Sequence, residues 1–285
     1  MRNYDNSFEV IEQEINENIQ HILNKGLGTY TEKEALKLIL SCIDLTTLEG
    51  ADTNQKVIAL CNKAKSFNTS VYNLPNVAAI CVYPTFASLV REELKGTGIK
   101  TACVAGAFPS GQSPLLVKLI EVKYALDEGA EEIDMVISRG SLLEDNYQKV
   151  FDEIKAIKEY CNTVHLKVIL ETGELVTLKN IRIASDISIA AGADFLKTST
   201  GKINPGATES AFYMMLTSIK DHYLKTGNMV GIKAAGGIAD CNQTLNYLIL
   251  VKEILGEQWL NKDLFRIGAS RLADKIVERV SALST

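Results

Sequence analysis

Four charged side chains lie inside segments that otherwise have the composition of buried β-strands. They are Asp134, Lys167, Lys197 and Lys233, and each follows an apolar residue in a short apolar run. Taking an unpaired charge out of water costs several kcal/mol, so such residues are rarely buried without a partner or a purpose. Because side chains alternate across a strand, all four can point to one side, into the interior of a closed sheet.

Three amines and one carboxylate in one interior would change each other's pKa. An ordinary lysine has a pKa of about 10.4, and lowering it to about 7 corresponds to roughly 4 kcal/mol. Burial beside a second ammonium disfavours the charged form, so we expect Lys233 to lower the pKa of Lys197 and leave a nucleophilic amine. Asp134 would hold or transfer a proton beside them. Lys167 is equally well explained as a strand-end residue with its ammonium in water, or as an ion-pair partner of Asp134.

Three glycine-containing loops predict a phosphate site. They follow the sixth, seventh and eighth predicted strands. In many (β/α)8 barrels the loops after strands seven and eight bind phosphate through backbone N–H groups and a helix dipole. One glycine pair alone is more often a simple turn, but three such loops on one face favour an anion site. The residues concerned are Gly201, Lys202, Gly236, Gly237, Gly268 and Ser270.

Short apolar, β-branched runs alternate with amphipathic helices, which predicts parallel strands joined by crossover helices. The predicted strands are Ser41–Leu45, Ala78–Tyr83, Lys100–Ala105, Glu132–Ile137, Val164–Leu170, Asp194–Thr198, Met229–Ala234 and Leu264–Gly268. The clearest helices are Asp52–Lys65, Pro114–Glu128, Asn146–Tyr160, Thr208–Leu224 and Cys241–Leu255. No Gly-x-Gly-x-x-Gly follows the first strand, and polar residues end many strands, so a closed (β/α)8 TIM barrel is favoured over an open sheet.

Two helices precede this series. Apolar residues recur every three or four positions from Phe8 to Asn24, and Thr31 with Glu34 forms a capping box at the start of the second helix. We therefore expect an N-terminal helical extension over residues 1–40 and a catalytic barrel over residues 41–285.

Composition excludes several classes of protein. The chain has 285 residues, 46% hydrophobic residues and a net charge of −5, which argues against a disordered chain or a basic nucleic-acid binder. Six scattered cysteines without a Cys-x-x-Cys pair indicate buried thiols in a reducing compartment, and no apolar segment is long enough for a membrane span. The three histidines lack metal-ligand spacing, so we expect no metal and no cofactor. The cysteines and the lack of a membrane span predict a cytoplasmic protein.

Seven sequence segments together resemble the deoxyribose-phosphate aldolases, and the resemblance extends from about Ile43 to Leu272. They are Asp44-Leu45-Thr46-Thr47-Leu48, Cys81-Val82-Tyr83-Pro84, Glu132-Ile133-Asp134, the run from Leu166 to Leu175, the run from Asp194 to Lys202, Gly231-Ile232-Lys233-Ala234-Ala235-Gly236-Gly237, and Phe265-Arg266-Ile267-Gly268-Ala269-Ser270. The family's pattern changes at Ala234, Ala239 and Arg271, and the last residues lack the C-terminal tyrosine that some members use.

The resemblance implies a metal-free class I aldolase of deoxyribonucleoside catabolism that reversibly cleaves 2-deoxy-D-ribose 5-phosphate to acetaldehyde and D-glyceraldehyde 3-phosphate. It implies that Lys197 forms the imine, Lys233 lowers its pKa and Asp134 relays protons. The expected substrate-binding residues are Asp44, Thr46, Lys167 and Thr200, and the phosphate-binding residues are the glycine-loop residues named above. A homo-oligomer, dimer or tetramer, is expected, without nucleic-acid or membrane partners.

Two other functions remain open at this point. One is a class I aldolase for a different phosphorylated sugar, which would not accept acetaldehyde as donor. The other is a non-catalytic sensor or assembly subunit built on an aldolase barrel, which the presence of all three chemical residues disfavours.

Overall fold

Eight parallel strands close into a barrel in this computed structural model, which describes residues 11–69 and 72–284. The strands follow chain order around the barrel, and the last pairs with the first. Their bounds are β1 Ile43–Thr46, β2 Ala79–Val82, β3 Lys100–Ala105, β4 Glu132–Val136, β5 His165–Ile169, β6 Phe195–Lys197, β7 Gly231–Ala235 and β8 Phe265–Ala269. The predicted (β/α)8 barrel is therefore confirmed.

Helices follow the strands and cover the outside of the barrel. Within the described residues they are α1 Glu12–Leu23, α2 Glu32–Ser41, α3 Asn54–Ser66, α4 Ala87–Glu93, α5 Leu115–Asp127, α6 Arg139–Leu143, α7 Tyr147–Cys161, α8 Leu178–Ala190, α9 Glu209–Thr226, α10 Cys241–Leu255 and α11 Leu272–Ala282. In the part of the chain that the structure describes, no helix is both long and apolar enough to cross a membrane.

The N-terminal helices pack onto the barrel's outer ring. Helix α1 contacts α9 and α10, and it buries Ile15 and Ile19. Helix α2 contacts α10 and α11 and begins with the predicted capping box, in which Thr31 accepts from the Glu34 N–H and the Glu34 carboxylate accepts from the Thr31 N–H. Phe8, where the first helix was predicted to begin, lies outside the described residues. The division at residue 40 stays a prediction.

The first strand begins two residues later than predicted. Ser41 is the last residue of α2, and its hydroxyl donates to the Leu38 carbonyl, which extends the helical turn. The neighbouring Cys42 caps that helix. Apolar composition alone cannot separate the end of a buried helix from the start of a buried strand, so such boundaries shift.

Two apolar clusters lie on opposite sides of the strands. The larger one fills the space between the sheet and the helices. The smaller one lies inside the barrel, where β2 and β3 contribute Ala79, Cys81, Ala102 and Val104. Other interior positions of the barrel carry charged side chains, which form the site described next.

Candidate active site

Seven buried charged side chains form one bonded network inside the barrel. Each is at most 3% exposed. The cations are Lys167, Lys197, Lys233 and Arg266, and the carboxylates are Asp44, Glu132 and Asp134. Parallel register places them side by side, because Asp134 of β4 is opposite Lys167 of β5 and Lys197 of β6 is opposite Lys233 of β7.

Asp134 is the centre of this network. Its Oδ2 accepts from Lys197 Nζ at 2.7 Å and from Lys233 Nζ at 2.8 Å. Its Oδ1 accepts from Lys167 Nζ at 2.9 Å. The three lysines predicted from the sequence therefore share one carboxylate, whose pKa lies well below its ordinary value because the nearby ammonium groups outweigh the effect of burial.

The three lysines differ in their number of close carboxylate partners. Lys233 also donates to Asp44, and Lys167 also donates to Glu132 at 2.6 Å. Burial lowers the pKa of both amines, but the carboxylates around each amine outweigh it and raise the pKa above its ordinary value. These two lysines are therefore held in the charged form.

Among the described residues, Asp134 is the one carboxylate that contacts Lys197, and Lys197 shares that oxygen with Lys233. Burial and the ammonium of Lys233 outweigh the attraction of Asp134, so the pKa of Lys197 is lowered. The count of charges points the same way. Four cations face three carboxylates, and the buried set becomes neutral when one cation loses its proton. Lys197 is the amine that the surroundings favour for this loss.

A cavity of about 700 Å³ opens above Lys197 at the carboxyl ends of the strands. This is the face on which (β/α)8 barrels place their active sites. Nine of the predicted site residues line it: Thr46, Lys197, Thr200, Gly201, Lys202, Gly236, Gly237, Gly268 and Ser270. The other four predicted residues, Asp44, Asp134, Lys167 and Lys233, lie deeper in the network and do not line the cavity.

The loops after β6 and β7 meet backbone to backbone at one end of the cavity. Gly201, Gly236 and Gly237 have φ angles of +80°, +90° and +74°, which favour glycine. A Cβ on Gly206 would lie 2.3 Å from the Gly236 carbonyl oxygen, so these loops approach too closely for any side chain there. Gly206 was missed in the sequence, where an isolated Pro-Gly pair indicates only a turn.

Cationic side chains make this end suitable for an anion. Lys56, Lys63, Lys202 and Arg271 line the same cavity. Lys202 Nζ contacts the exposed carboxylate of Glu49 at 2.9 Å across the mouth. An anionic ligand can therefore meet both backbone N–H groups and positive charge in this region.

Glu132 and Arg266 were given no role in the sequence analysis, yet they join the network beneath the cavity. Arg266 donates to Asp44 at 2.6 Å and to both oxygens of Glu132 at 2.7 and 3.0 Å. Burial raises the pKa of each carboxylate, but Lys233 with Arg266 at Asp44, and Lys167 with Arg266 at Glu132, lower it below its ordinary value. One signal was available for Glu132, because it stands two positions before Asp134 and so points to the same side of β4.

Known proteins resemble this chain in sequence and in fold. Residues 38–249 match the DeoC/LacD family aldolase. The human deoxyribose-phosphate aldolase is 44% identical over 248 residues, covering 84% of this chain and 78% of the human protein. Its bovine counterpart is 43% identical over 251 residues, covering 85% and 79%. The tetrameric structure of deoxyribose phosphate aldolase from Aeropyrum pernix superposes with a TM-score of 0.68 at 27% identity, covering 96% of this chain and all of the other. The chain belongs to the DeoC/LacD aldolase family.

Proposed function

We propose that this protein is a class I aldolase that reversibly cleaves 2-deoxy-D-ribose 5-phosphate to acetaldehyde and D-glyceraldehyde 3-phosphate. One observation carries the proposal. Of the three buried lysines inside the barrel, Lys197 is the one that lines the cavity and the one whose pKa is lowered. The names of the human and bovine relatives supply the substrate.

The reaction begins when the neutral amine of Lys197 attacks the C1 aldehyde of the open-chain sugar. Loss of water gives an iminium ion, which accepts the electron pair of the C2–C3 bond when that bond breaks. The C3 hydroxyl loses its proton and becomes the aldehyde of glyceraldehyde 3-phosphate. The remaining enamine takes a proton at C2, and hydrolysis then releases acetaldehyde and restores the amine.

Asp134 is proposed to move protons in these steps through a water molecule. It contacts Lys197 directly and is held by two further ammonium groups, so it stays ionised and can accept a hydrogen bond from the water that carries the proton. Lys233 is proposed to favour the neutral form of Lys197. The phosphate is proposed to bind at the glycine loops, near Lys202 and Ser270, while Thr46 and Thr200 contact the sugar.

Borohydride reduction in the presence of acetaldehyde tests the proposal. It should leave an ethyl group on Lys197, located by peptide mass spectrometry, and Lys197→Ala should neither trap acetaldehyde nor cleave the sugar phosphate. Lys118→Met is a matched control, because Lys118 is also fully buried but pairs with Glu153 outside the barrel interior. An unmodified Lys197 together with no turnover of 2-deoxyribose 5-phosphate would refute the proposal, and trapping of a different carbonyl donor would assign another aldol substrate.

The protein is also proposed to form a homo-oligomer through α5. Four apolar side chains lie exposed on that helix: Leu116, Val117, Ile120 and Tyr124. Their spacing places them on neighbouring turns, and exposed apolar patches of this kind commonly mark interfaces. The tetramer of the Aeropyrum pernix relative supports self-association. Light scattering should show an oligomer that Ile120→Asp dissociates, whereas a monomeric wild-type protein would contradict the idea.

A cytoplasmic location is proposed on the cysteines. All six are buried and unpaired, which suits a reducing compartment. Cell fractionation checks this location, and recovery in an oxidising compartment would contradict it.

A further inference from the structure

Glu171 is a fully buried carboxylate that the seven-charge network does not contain. It lies two residues after the end of β5 and immediately precedes the short turn Thr172–Glu174. Its backbone is left-handed, with φ of 57° and ψ of 60°. A non-glycine residue in this region is uncommon, and such residues persist where the surrounding contacts hold them.

The carboxylate of Glu171 binds the loop that carries the predicted phosphate residues. It accepts from the Thr200 N–H at 3.1 Å and from the Thr200 hydroxyl. The same hydroxyl oxygen accepts from the Lys202 N–H at 3.1 Å. One buried carboxylate thus fixes both ends of the three-residue segment 200–202, whose central Gly201 has little conformational preference of its own.

Arg139 holds Glu171 from the opposite side. Its Nη1 lies 3.3 Å from Glu171 Oε2, and its Nη2 donates to the carbonyls of Pro109 and Ser110 at 3.2 and 2.8 Å. The contacts therefore run from the loop after β3, through Arg139 and Glu171, to Thr200 and Lys202. Hydrogen bonds to an ionised group are about twice as strong as neutral ones, so this chain is suited to hold a loop in place.

We propose that Glu171 is a positioning residue that holds segment 200–202 in the conformation that binds the phosphate of the substrate. The inference rests on the proposed function and deepens it, because it assigns recognition of the phosphorylated end to a residue that does not line the cavity. An ionised carboxylate only accepts, and it can receive both Thr200 donors and the guanidinium together. Lys197 does not depend on Glu171, since its contact is with Asp134.

Glu171→Gln separates positioning from general stability. The amide keeps one oxygen for the Thr200 N–H but presents N–H groups where the carboxylate accepted a hydroxyl proton and faced Arg139. We expect KM for 2-deoxyribose 5-phosphate to rise about tenfold or more with a smaller fall in kcat, because a loop displaced by about 1 Å binds poorly. For 2-deoxyribose, which lacks the phosphate, kcat/KM should stay within about twofold. Trapping of acetaldehyde on Lys197 should proceed at the wild-type rate.

Glu174→Gln is the matched control. Glu174 also pairs with Arg139, at 2.8 Å, but it is largely exposed and does not contact Thr200, so its KM values should match the wild type. If Glu171→Gln fails to fold, Arg139→Met removes the guanidinium that holds Glu171 from the opposite side, does not line the cavity, and should raise the same KM. An equal loss of kcat/KM on both sugars, or an unchanged KM for the phosphorylated one, overturns the inference.

Binding of inorganic phosphate, measured by calorimetry, keeps the inference separate from the proposed function. Phosphate should bind about tenfold or more weakly to Glu171→Gln than to the wild type even if 2-deoxyribose 5-phosphate proves not to be a substrate. Absence of wild-type turnover with this difference in binding would reject the proposed reaction alone. Equal phosphate affinity in the two proteins rejects the role of Glu171.

Discussion

Replacing Lys233 with methionine should shift the acid side of the pH–activity profile to higher pH. The ammonium groups of Lys197 and Lys233 lie 2.7 and 2.8 Å from the same oxygen of Asp134, so their nitrogens are no more than about 5.5 Å apart. At an effective dielectric constant of about 20, two like charges at that distance repel by about 3 kcal/mol. Removing Lys233 removes this repulsion. It also leaves one ammonium group fewer to share the Asp134 carboxylate with Lys197.

Both changes favour the charged form of Lys197, so the neutral amine becomes scarcer at every pH below the Lys197 pKa. An interaction of about 3 kcal/mol corresponds to about a 100-fold loss of neutral amine at fixed pH. The assay is kcat/KM for 2-deoxyribose 5-phosphate from pH 5 to about 10, together with the rate of acetaldehyde trapping on Lys197. Activity of Lys233→Met should recover as the pH rises, because base then supplies the neutral amine that Lys233 no longer favours.

The reasoning is refuted if the acid side of the profile stays in place or moves to lower pH. A uniform loss at all pH values would instead assign Lys233 a direct part in proton transfer. Lys118→Met controls for the loss of a buried ammonium, and its profile should match the wild type.

Arg266→Met should lower the free energy of unfolding by about 3–5 kcal/mol in urea titrations, because Asp44 and Glu132 keep their charge and lose a shared partner. The control Arg279→Met removes a partly exposed pair with Glu32 and should lower it by no more than about 1 kcal/mol. Equal losses in the two variants would contradict the argument. Acid should destabilise the protein, because folding lowers the pKa values of Asp44, Glu132 and Asp134. The contribution of these carboxylates to the free energy of unfolding is complete above their ordinary pKa values of 3.8 and 4.5 and is lost as the pH falls further. Urea midpoints measured between pH 2 and about 8 would show this loss. Gly206→Ala should raise KM for the phosphorylated sugar, because the new Cβ displaces Gly236. In the control Gly50→Ala the new Cβ enters open space, so KM should stay unchanged. Equal KM values in the two variants would argue against close contact between the loops.

The strands and their polar ends could be predicted because periodicity and residue type are local properties. Lys197, Lys233 and Asp134 stand out as charges in apolar runs, and the barrel brings them together as expected. The charge balance could not be derived in the same way. It depends on Glu132 and Arg266, which each occupy an ordinary position near a strand end and become partners only across the closed barrel.

Segment 200–202 shows the same limit. Its glycine predicts a loop, but the conformation of that loop depends on Glu171, which is 29 residues away from Thr200. A left-handed glutamate has no sequence signature, since glycine and asparagine are the residues that usually mark this conformation. Long-range contacts of this kind appear only when the three-dimensional arrangement is known.

The burial of the seven charges below the cavity bears on how this enzyme can be redesigned. The charges share partners, so a mutation that removes one member upsets the charge balance of the others in a medium where an uncompensated charge is costly. The cavity wall above them consists of short loops and solvent-facing side chains such as Ser270 and Arg271, which can change without disturbing that balance. A library that varies the cavity wall and leaves the seven charges intact should therefore yield new aldehyde acceptors at little loss of folding, whereas a library that varies the seven charges should yield mostly destabilised protein.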